Sequence, residues 1–349
     1  MPQPKNVPLT LNKNRTVIPE PFSAGIFLTY KCTNSCKHCM YACSPKWDAD
    51  WISVEDAEVV LSQLAEVMHG KYPFPGKIGV NEGVHFSGGE PFLNFDLLLQ
   101  LVEIAECLEI PSTFVETNAF WCTNDESARK KLRALKDTGL DGILISANPF
   151  IVEQVPFERT QRAARISREV FSPDNTIVYQ AFFYQQLHQL DLRGTLPFEK
   201  YLRIAGHGLQ YVELFASGRA PYRLGDLYEH RPARSFFGAS CHRELVRDWH
   251  VHIDNYCNYI PGYCGGISLG DARDLNAICS VIDLDERPAL NALLTDLKAL
   301  HDLGMQCGYE EQNGYISKCH LCIDIRQHLA RHGGFRELTP KAFYDRLEG

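Results

Sequence analysis

From residue 25 to about residue 220, short apolar runs alternate with longer stretches whose apolar positions recur every three to four residues. Gly25-Ile26-Phe27-Leu28-Thr29-Tyr30 is a β-prone run and predicts a first strand. Ser53-Val54-Glu55-Asp56 then opens a helix by capping logic, and Ala57, Val60, Leu61 and Leu64 follow at helical spacing. The alternation continues with strands expected at 83–86, 113–118, 142–148, 176–183 and 211–215. Helices are expected between them at 96–108, 127–137, 160–170 and 198–205. Strands separated by helices at this rhythm imply βαβ units and a parallel sheet, hence an α/β fold. In such folds the site lies at the C-terminal ends of the strands.

Beyond Pro221 the rhythm breaks. Residues 251–264 read as a β-hairpin turning near 254–257, and Cys319-His320-Leu321-Cys322 precedes a helix expected at 324–331. A polar, Pro-rich lead occupies 1–24, so the chain divides into 1–24, a main unit at 25–220 and a smaller unit at 221–349.

Composition changes the picture in one respect, its thirteen cysteines. The N-terminus lacks an apolar h-region, so the thiols read as metal ligands or reduced side chains rather than disulfides. A cytoplasmic protein is expected, without a membrane span. A net charge of −8 with no basic stripe argues against nucleic acid as a partner.

The densest chemistry is Lys31-Cys32-Thr33-Asn34-Ser35-Cys36-Lys37-His38-Cys39, three cysteines at a three-then-two spacing directly after the first strand. Three thiolates on one loop serve a four-iron cube while leaving one iron open. A zinc knuckle is the alternative, but zinc usually takes paired ligands and no second pair lies nearby. The second strand runs into Ser87-Gly88-Gly89-Glu90-Pro91, where two glycines bring main chain close to a ligand and a carboxylate stands beside them.

The C-x3-C-x2-C loop resembles the signature of the radical S-adenosylmethionine (SAM) enzymes. The resemblance implies that Cys32, Cys36 and Cys39 hold a [4Fe–4S] cluster whose fourth iron SAM chelates, and His38 fills the usual aromatic place. Reductive cleavage of SAM would give a 5′-deoxyadenosyl radical that abstracts a hydrogen atom. Gly88, Gly89 and Glu90 match the family's GGEP segment, which binds the SAM amino group. Thr117 and Asn118 resemble its "TNG", with Ala119 in the glycine position, and Ser146 and Asn148 resemble its "SLD". Ser146 and Asn148 are read either as SAM contacts or as strand-end caps. The implied fold is a partial (β/α)6 TIM-like barrel with a small C-terminal iron–sulfur domain of twitch or SPASM type. Gly218-Arg219-Ala220 is a frequent feature of relatives carrying such a domain. Arg219 would pair with an anionic group or with a local carboxylate.

In the second unit, the run from Asp254 through Cys264 to Asp271 is similar to auxiliary-cluster sequences. On that comparison Cys257 occupies a glycine position and Cys264 the ligand position, which leaves the two as rivals. The expected auxiliary [4Fe–4S] set is Cys241, Cys264, Cys319 and Cys322, with zinc at the same sulfurs as the alternative. Cys107 falls in a helix stripe and is expected to be buried. Cys43 and Cys122 are the thiols near the expected mouth and are candidate hydrogen-atom donors. His85 and His188 show no metal-ligand spacing.

Together these readings describe an enzyme with two [4Fe–4S] clusters and SAM, served by a flavodoxin- or ferredoxin-type donor. A net oxidation or rearrangement of a small molecule is expected. The short lead disfavours an N-terminal leader-binding module, so a peptide-modifying maturase is the alternative. An iron–sulfur electron carrier and a zinc-stabilised interaction protein are the readings from other classes.

Overall fold

The computed structural model describes residues 14–72, 78–80, 82–212 and 214–349. Nine strands occur among them: β1 (Arg15–Val17), β2 (Ala24–Thr29), β3 (Val84–Gly88), β4 (Thr113–Thr117), β5 (Gly142–Ser146), β6 (Thr176–Tyr179), β7 (Val251–Ile253), β8 (Tyr259–Pro261) and β9 (Val281–Asp283). Seven form one sheet in the order β6-β5-β4-β3-β2-β7-β8, parallel from β6 through β7 and antiparallel at the β7–β8 hairpin. The fold is thus α/β with a mostly parallel sheet, a partial TIM-like barrel that does not close. β1 lies apart, paired antiparallel with β9.

The amphipathic stripes explain the outer layer. Helix α1 (Val54–Lys71) is capped by Ser53, whose hydroxyl accepts from the Asp56 amide, and buries Ala57, Val60, Leu61, Leu64, Ala65 and Met68. Helices α2 (Phe95–Cys107), α3 (Asp125–Asp137) and α4 (Phe157–Phe171) follow β3, β4 and β5. β2 is buried at every residue, as an apolar strand covered on both faces must be. Among the described residues no helix is long and apolar enough to cross a membrane.

Four expectations need correction. No strand forms at 211–215 among the described residues; Glu213 itself lies outside them. A 3₁₀ turn at Gly206–Tyr211 takes up Tyr211, the residue that would have started it. The run expected as strand to 183 stops at Tyr179, because Gln180 turns left-handed (φ 63°) and helix α5 (Ala181–Gln189) begins. Its Phe183 and Leu187 are buried one helical turn apart, a spacing that a short apolar run does not reveal. Cys319 and Cys322 do not precede their helix but lie in its first turns, since Ser317 caps Lys318–His332. Cys107 is exposed at the last residue of α2 rather than buried.

The place of the missing strand in the sheet is not refilled at β6. Instead β7 pairs with the opposite flank, beside β2, so the hairpin of the C-terminal unit extends the barrel sheet. The turn between β7 and β8 is fixed by Asp254, whose carboxylate accepts from Tyr256 N, Asn258 N and Asn258 Nδ2. It also accepts from the Tyr30 hydroxyl at 2.9 Å, tying the hairpin to the end of β2.

Candidate active site

Side chains alternate along a strand, so each barrel strand sends every second residue inward. His85 and Ser87 of β3, Phe114 and Glu116 of β4, Leu144 and Ser146 of β5, and Ile177 and Tyr179 of β6 line one cavity of ≈ 400 Å³. Its roof is the cysteine loop, with Cys32, Cys36, His38, Cys39 and Cys43. Gly88, Gly89, Thr117 and Asn118 also reach it.

The loop is held in place by backbone contacts that need glycine. Gly89 N donates to Thr29 O at 2.7 Å and Glu90 N to Lys31 O at 3.0 Å. A Cβ on Gly89 would lie 1.9 Å from Lys31 O, and Gly88 adopts φ +111°. Only glycines permit that approach.

Within the loop, Asn34 N and Asn118 Nδ2 point at the Cys32 sulfur at 3.4 and 3.6 Å. Burial pushes the Cys32 and Cys36 thiols up, Cys36 to about 12. Cys39 is held down to about 6 by a hydrogen bond from the Cys43 side chain. Burial, and then the neighbouring Cys39, push the Cys43 thiol up. His38 stacks on Phe150 at 4.4 Å between ring centroids, and burial lowers it to about 4, so the ring is neutral.

Glu90 is tied to the neighbouring strand end. It is fully buried, and its carboxylate accepts from Phe92 N (3.2 Å), Thr117 Oγ1 (2.9 Å) and Asn118 N (2.8 Å). Burial raises it to about 7 against the pull of these three bonds. The side chain therefore knots the ends of β3 and β4 together and does not line the cavity. Asn148 resolves in the same direction: its Oδ1 caps Phe150 N and Ile151 N, both at 3.1 Å, while its amide lies 3.4 Å from His38 Nε2. Ser146 does line the cavity. Ala119 sits at φ +64°, the left-handed geometry that explains a glycine preference there.

Among the described residues Arg219 pairs with main-chain carbonyls rather than with a carboxylate. Its guanidinium, 1% exposed, donates to the carbonyl oxygens of Cys36 (3.0 Å), Ala42 (2.7 Å), Cys43 (3.2 Å) and Arg346 (3.3 Å). Its charge lowers the Cys36 and Cys39 thiols. Cys122 is buried beside Arg162 and is not among the residues that line the cavity.

The second cysteine group assembles away from this cavity. Cys241 feels the charge of Cys322, Cys264 and Cys319, and Cys264 that of Cys319 and Cys322. Arg326, buried next to them, donates to Cys322 Sγ at 3.3 Å. Cys257 is elsewhere: its φ is +61°, and its charged neighbours are Asp56, Arg273, Asp271 and Asp254. Mutual electrostatic influence thus puts Cys264 in the neighbourhood of the other three, while Cys257, a cysteine in a glycine conformation, has different charged neighbours.

One feature was invisible to spacing. His85, His250 and His252 meet at the cavity floor, with ligand atoms within 4.8 Å of one another. Gly25 makes this possible, because a Cβ there would lie 2.5 Å from both the His85 and His252 rings. Burial lowers all three imidazoles, His85 and His252 to about 3, so they are neutral at ordinary pH. The signal in the sequence was the glycine inside a buried strand.

Comparison with known proteins follows the same lines. A family model described as the radical SAM superfamily matches residues 26–178. The GTP 3',8-cyclase of Corynebacterium glutamicum (strain ATCC 13032) is 26% identical over 209 residues, covering 58% of this chain and 52% of that protein. The PqqA peptide cyclase of Gluconobacter oxydans (strain 621H) is 33% identical over 126 residues, covering 36% of this chain and 30% of that one. The chain therefore spans about half the length of the first of these relatives and less of the second. A solved structure, native anSMEcpe with bound AdoMet, aligns over 88% of this chain and 96% of its own at 11% identity and a TM-score of 0.42. The cysteine loop, the glycine pair, strands β3 to β5 and most of β2 fall inside the matched segment, so residues 26–178 of this chain match the radical SAM superfamily.

Proposed function

We propose that this chain cleaves SAM reductively and uses the resulting radical to abstract a hydrogen atom from a small-molecule substrate. The family implies a [4Fe–4S] cluster and SAM. The donor set fits that group: three thiols on one loop, two with depressing contacts from Arg219, and N–H groups aimed at the Cys32 sulfur. Bound to a cluster at Cys32, Cys36 and Cys39, SAM supplies a 5′-deoxyadenosyl radical upon one-electron reduction.

The observation that carries the reading is convergence. The loop, Gly88–Gly89, Thr117–Asn118 and Ser146 border one cavity of ≈ 400 Å³, a volume in the range of small-molecule sites (~300–1,000 Å³). In this reading Gly88 and Gly89 present main chain to SAM, Asn118 and Ser146 orient it, and His38 flanks the cluster as an apolar, neutral ring. Glu90 and Asn148 act indirectly, by fixing the strand ends. Leu144, Ile177 and Phe114 keep water from the radical.

Residues 221–349 are assigned an auxiliary [4Fe–4S] cluster at Cys241, Cys264, Cys319 and Cys322, with Arg326 offsetting its negative charge. Such a cluster would accept an electron from the substrate radical and make the net reaction an oxidation. A flavodoxin- or ferredoxin-type protein would reduce the first cluster. The similarity to a peptide cyclase over 126 residues favours a second reading, in which the substrate is a peptide.

Anaerobic incubation of the reconstituted, reduced protein with SAM tests the proposal. Release of methionine and 5′-deoxyadenosine is expected. Iron-loaded protein that releases neither would leave the electron-carrier reading in its place.

A further inference from the structure

We propose that His85, His250 and His252 hold a divalent first-row transition metal ion on the cavity floor, with Glu116 beside it and one position open to the substrate space. Nothing in SAM chemistry needs three imidazoles there. The site is built rather than incidental, and four observations say so.

The first is space. His85 and His252 flank Gly25 on one rung of the sheet, in register on either side of it. Any side chain at Gly25 would collide with both rings at 2.5 Å. The second is an orphan. His85 is 3% exposed, and neither its Nδ1 nor its Nε2 has a hydrogen-bond partner among the described residues. A buried imidazole with both nitrogens idle is costly unless something else binds it, and an ion is a common reason.

The third observation is orientation. His252 Nδ1 lies 2.9 Å from both Gly262 O, which can only accept, and the Tyr41 hydroxyl, which reaches Gly262 O at 3.3 Å as a donor; a proton on Nδ1 satisfies all three groups and leaves the lone pair on Nε2. His250 Nδ1 contacts the Ser23 hydroxyl, which itself donates to Trp249 O at 3.3 Å and so accepts from the ring. Again Nε2 is left with its lone pair. Metal-binding histidines are held in this way, one nitrogen tied back to the protein and the other presented to the ion.

The fourth is the carboxylate. Glu116 Oε2 accepts from the Ser87 hydroxyl at 2.7 Å, and its Oε1 stands 3.7 Å from His85 Nε2. Three neutral nitrogens and one oxygen suit zinc, iron(II) or cobalt(II) rather than magnesium or calcium. Bonds near 2.0–2.1 Å place tetrahedral ligand nitrogens about 3.4 Å apart, so modest ring rotations close the set from 4.8 Å.

Gly25 precedes Thr29 by four residues, which sets this floor about 13 Å below the start of the cysteine loop. A substrate lying between them would rest an oxygen donor, such as a hydroxyl, carbonyl or carboxylate, on the metal while offering a C–H bond to the roof. That use of the ion rests on the SAM reading; its binding does not.

Cobalt(II) is the probe. The reconstituted protein, its clusters in the diamagnetic oxidised state, is loaded with Co(II), desalted and assayed for cobalt, iron and sulfide, with EPR recorded on the cobalt. About one cobalt per chain with imidazole nitrogen modulation is expected, and at least ~10-fold weaker retention in His250→Ala and His85→Asn with iron unchanged. His250 is only partly buried, so its variant tests the ligand without emptying the core. No retained cobalt, equal cobalt in wild type and both variants, or cobalt lost instead in Cys319→Ala would each overturn the site. 5′-Deoxyadenosine is measured in the same samples: cobalt bound without SAM cleavage would sink the SAM reading and leave the metal site standing.

Discussion

Arg219 donates to the carbonyl oxygen of Cys36 at 3.0 Å, joining the end of the barrel domain to the middle of the cysteine loop. The same guanidinium serves Ala42 and Cys43, so one buried cation organises the backbone around three candidate iron ligands. Arg219→Met would strand those carbonyls in a site that water does not reach. A loss of about 3–5 kcal/mol in urea unfolding is expected, at 1–3 kcal/mol per unsatisfied group with partial relaxation, together with lower iron retention. Lysine should not rescue it, because a single ammonium cannot span the same fork.

Much of this was legible beforehand. The strands β2 to β5 and helix α1 follow from apolar runs and a capping serine, because burial on both faces leaves few other solutions. The cysteine loop was readable because its chemistry is local. Glu90 was not, since a carboxylate's partners come from two other strand positions, Thr117 and Asn118. The histidine floor was beyond reach for the same reason: His85 and His252 are separated by 167 positions, and only the register through Gly25 unites them.

Glu90 should imprint its titration on stability. Its folded value, about 7, is raised above the usual carboxylate value of 4.5, so between these limits the folded chain binds more protons than the unfolded one. Its contribution is therefore full below about pH 4.5 and lost as pH rises through about 7, a fall of roughly 3 kcal/mol. Glu90→Gln should flatten that part of the profile. Urea unfolding of both proteins from pH 5 to 8 checks it; a wild type and variant with parallel profiles would contradict the burial argument.

Gly25→Ala is expected to destabilise by about 1–3 kcal/mol, since its Cβ meets two imidazoles rather than flexible side-chain ends. Thermal unfolding of cluster-free protein reads the effect without interference from iron. A neutral substitution would mean that the rings do not converge over this residue.

Cys257 and Cys264 should part ways in iron analysis. Cys264→Ala is expected to lower iron from about eight to about four per chain, as loss of one ligand releases a four-iron cluster. Cys257→Gly should keep the iron and relieve up to about 1–2 kcal/mol of left-handed strain, offset in part by lost packing. Iron loss in the glycine variant alone would reverse the assignment.

The central claim is an open iron at Cys32, Cys36 and Cys39, and EPR of the dithionite-reduced protein addresses it most directly. Addition of SAM should shift the g-values of one [4Fe–4S]⁺ signal, the one absent from the Cys32/Cys36/Cys39→Ala variant. A signal from that loop whose g-values ignore SAM would mean that its cluster offers no vacant iron, and the chemistry proposed for this cavity would be wrong.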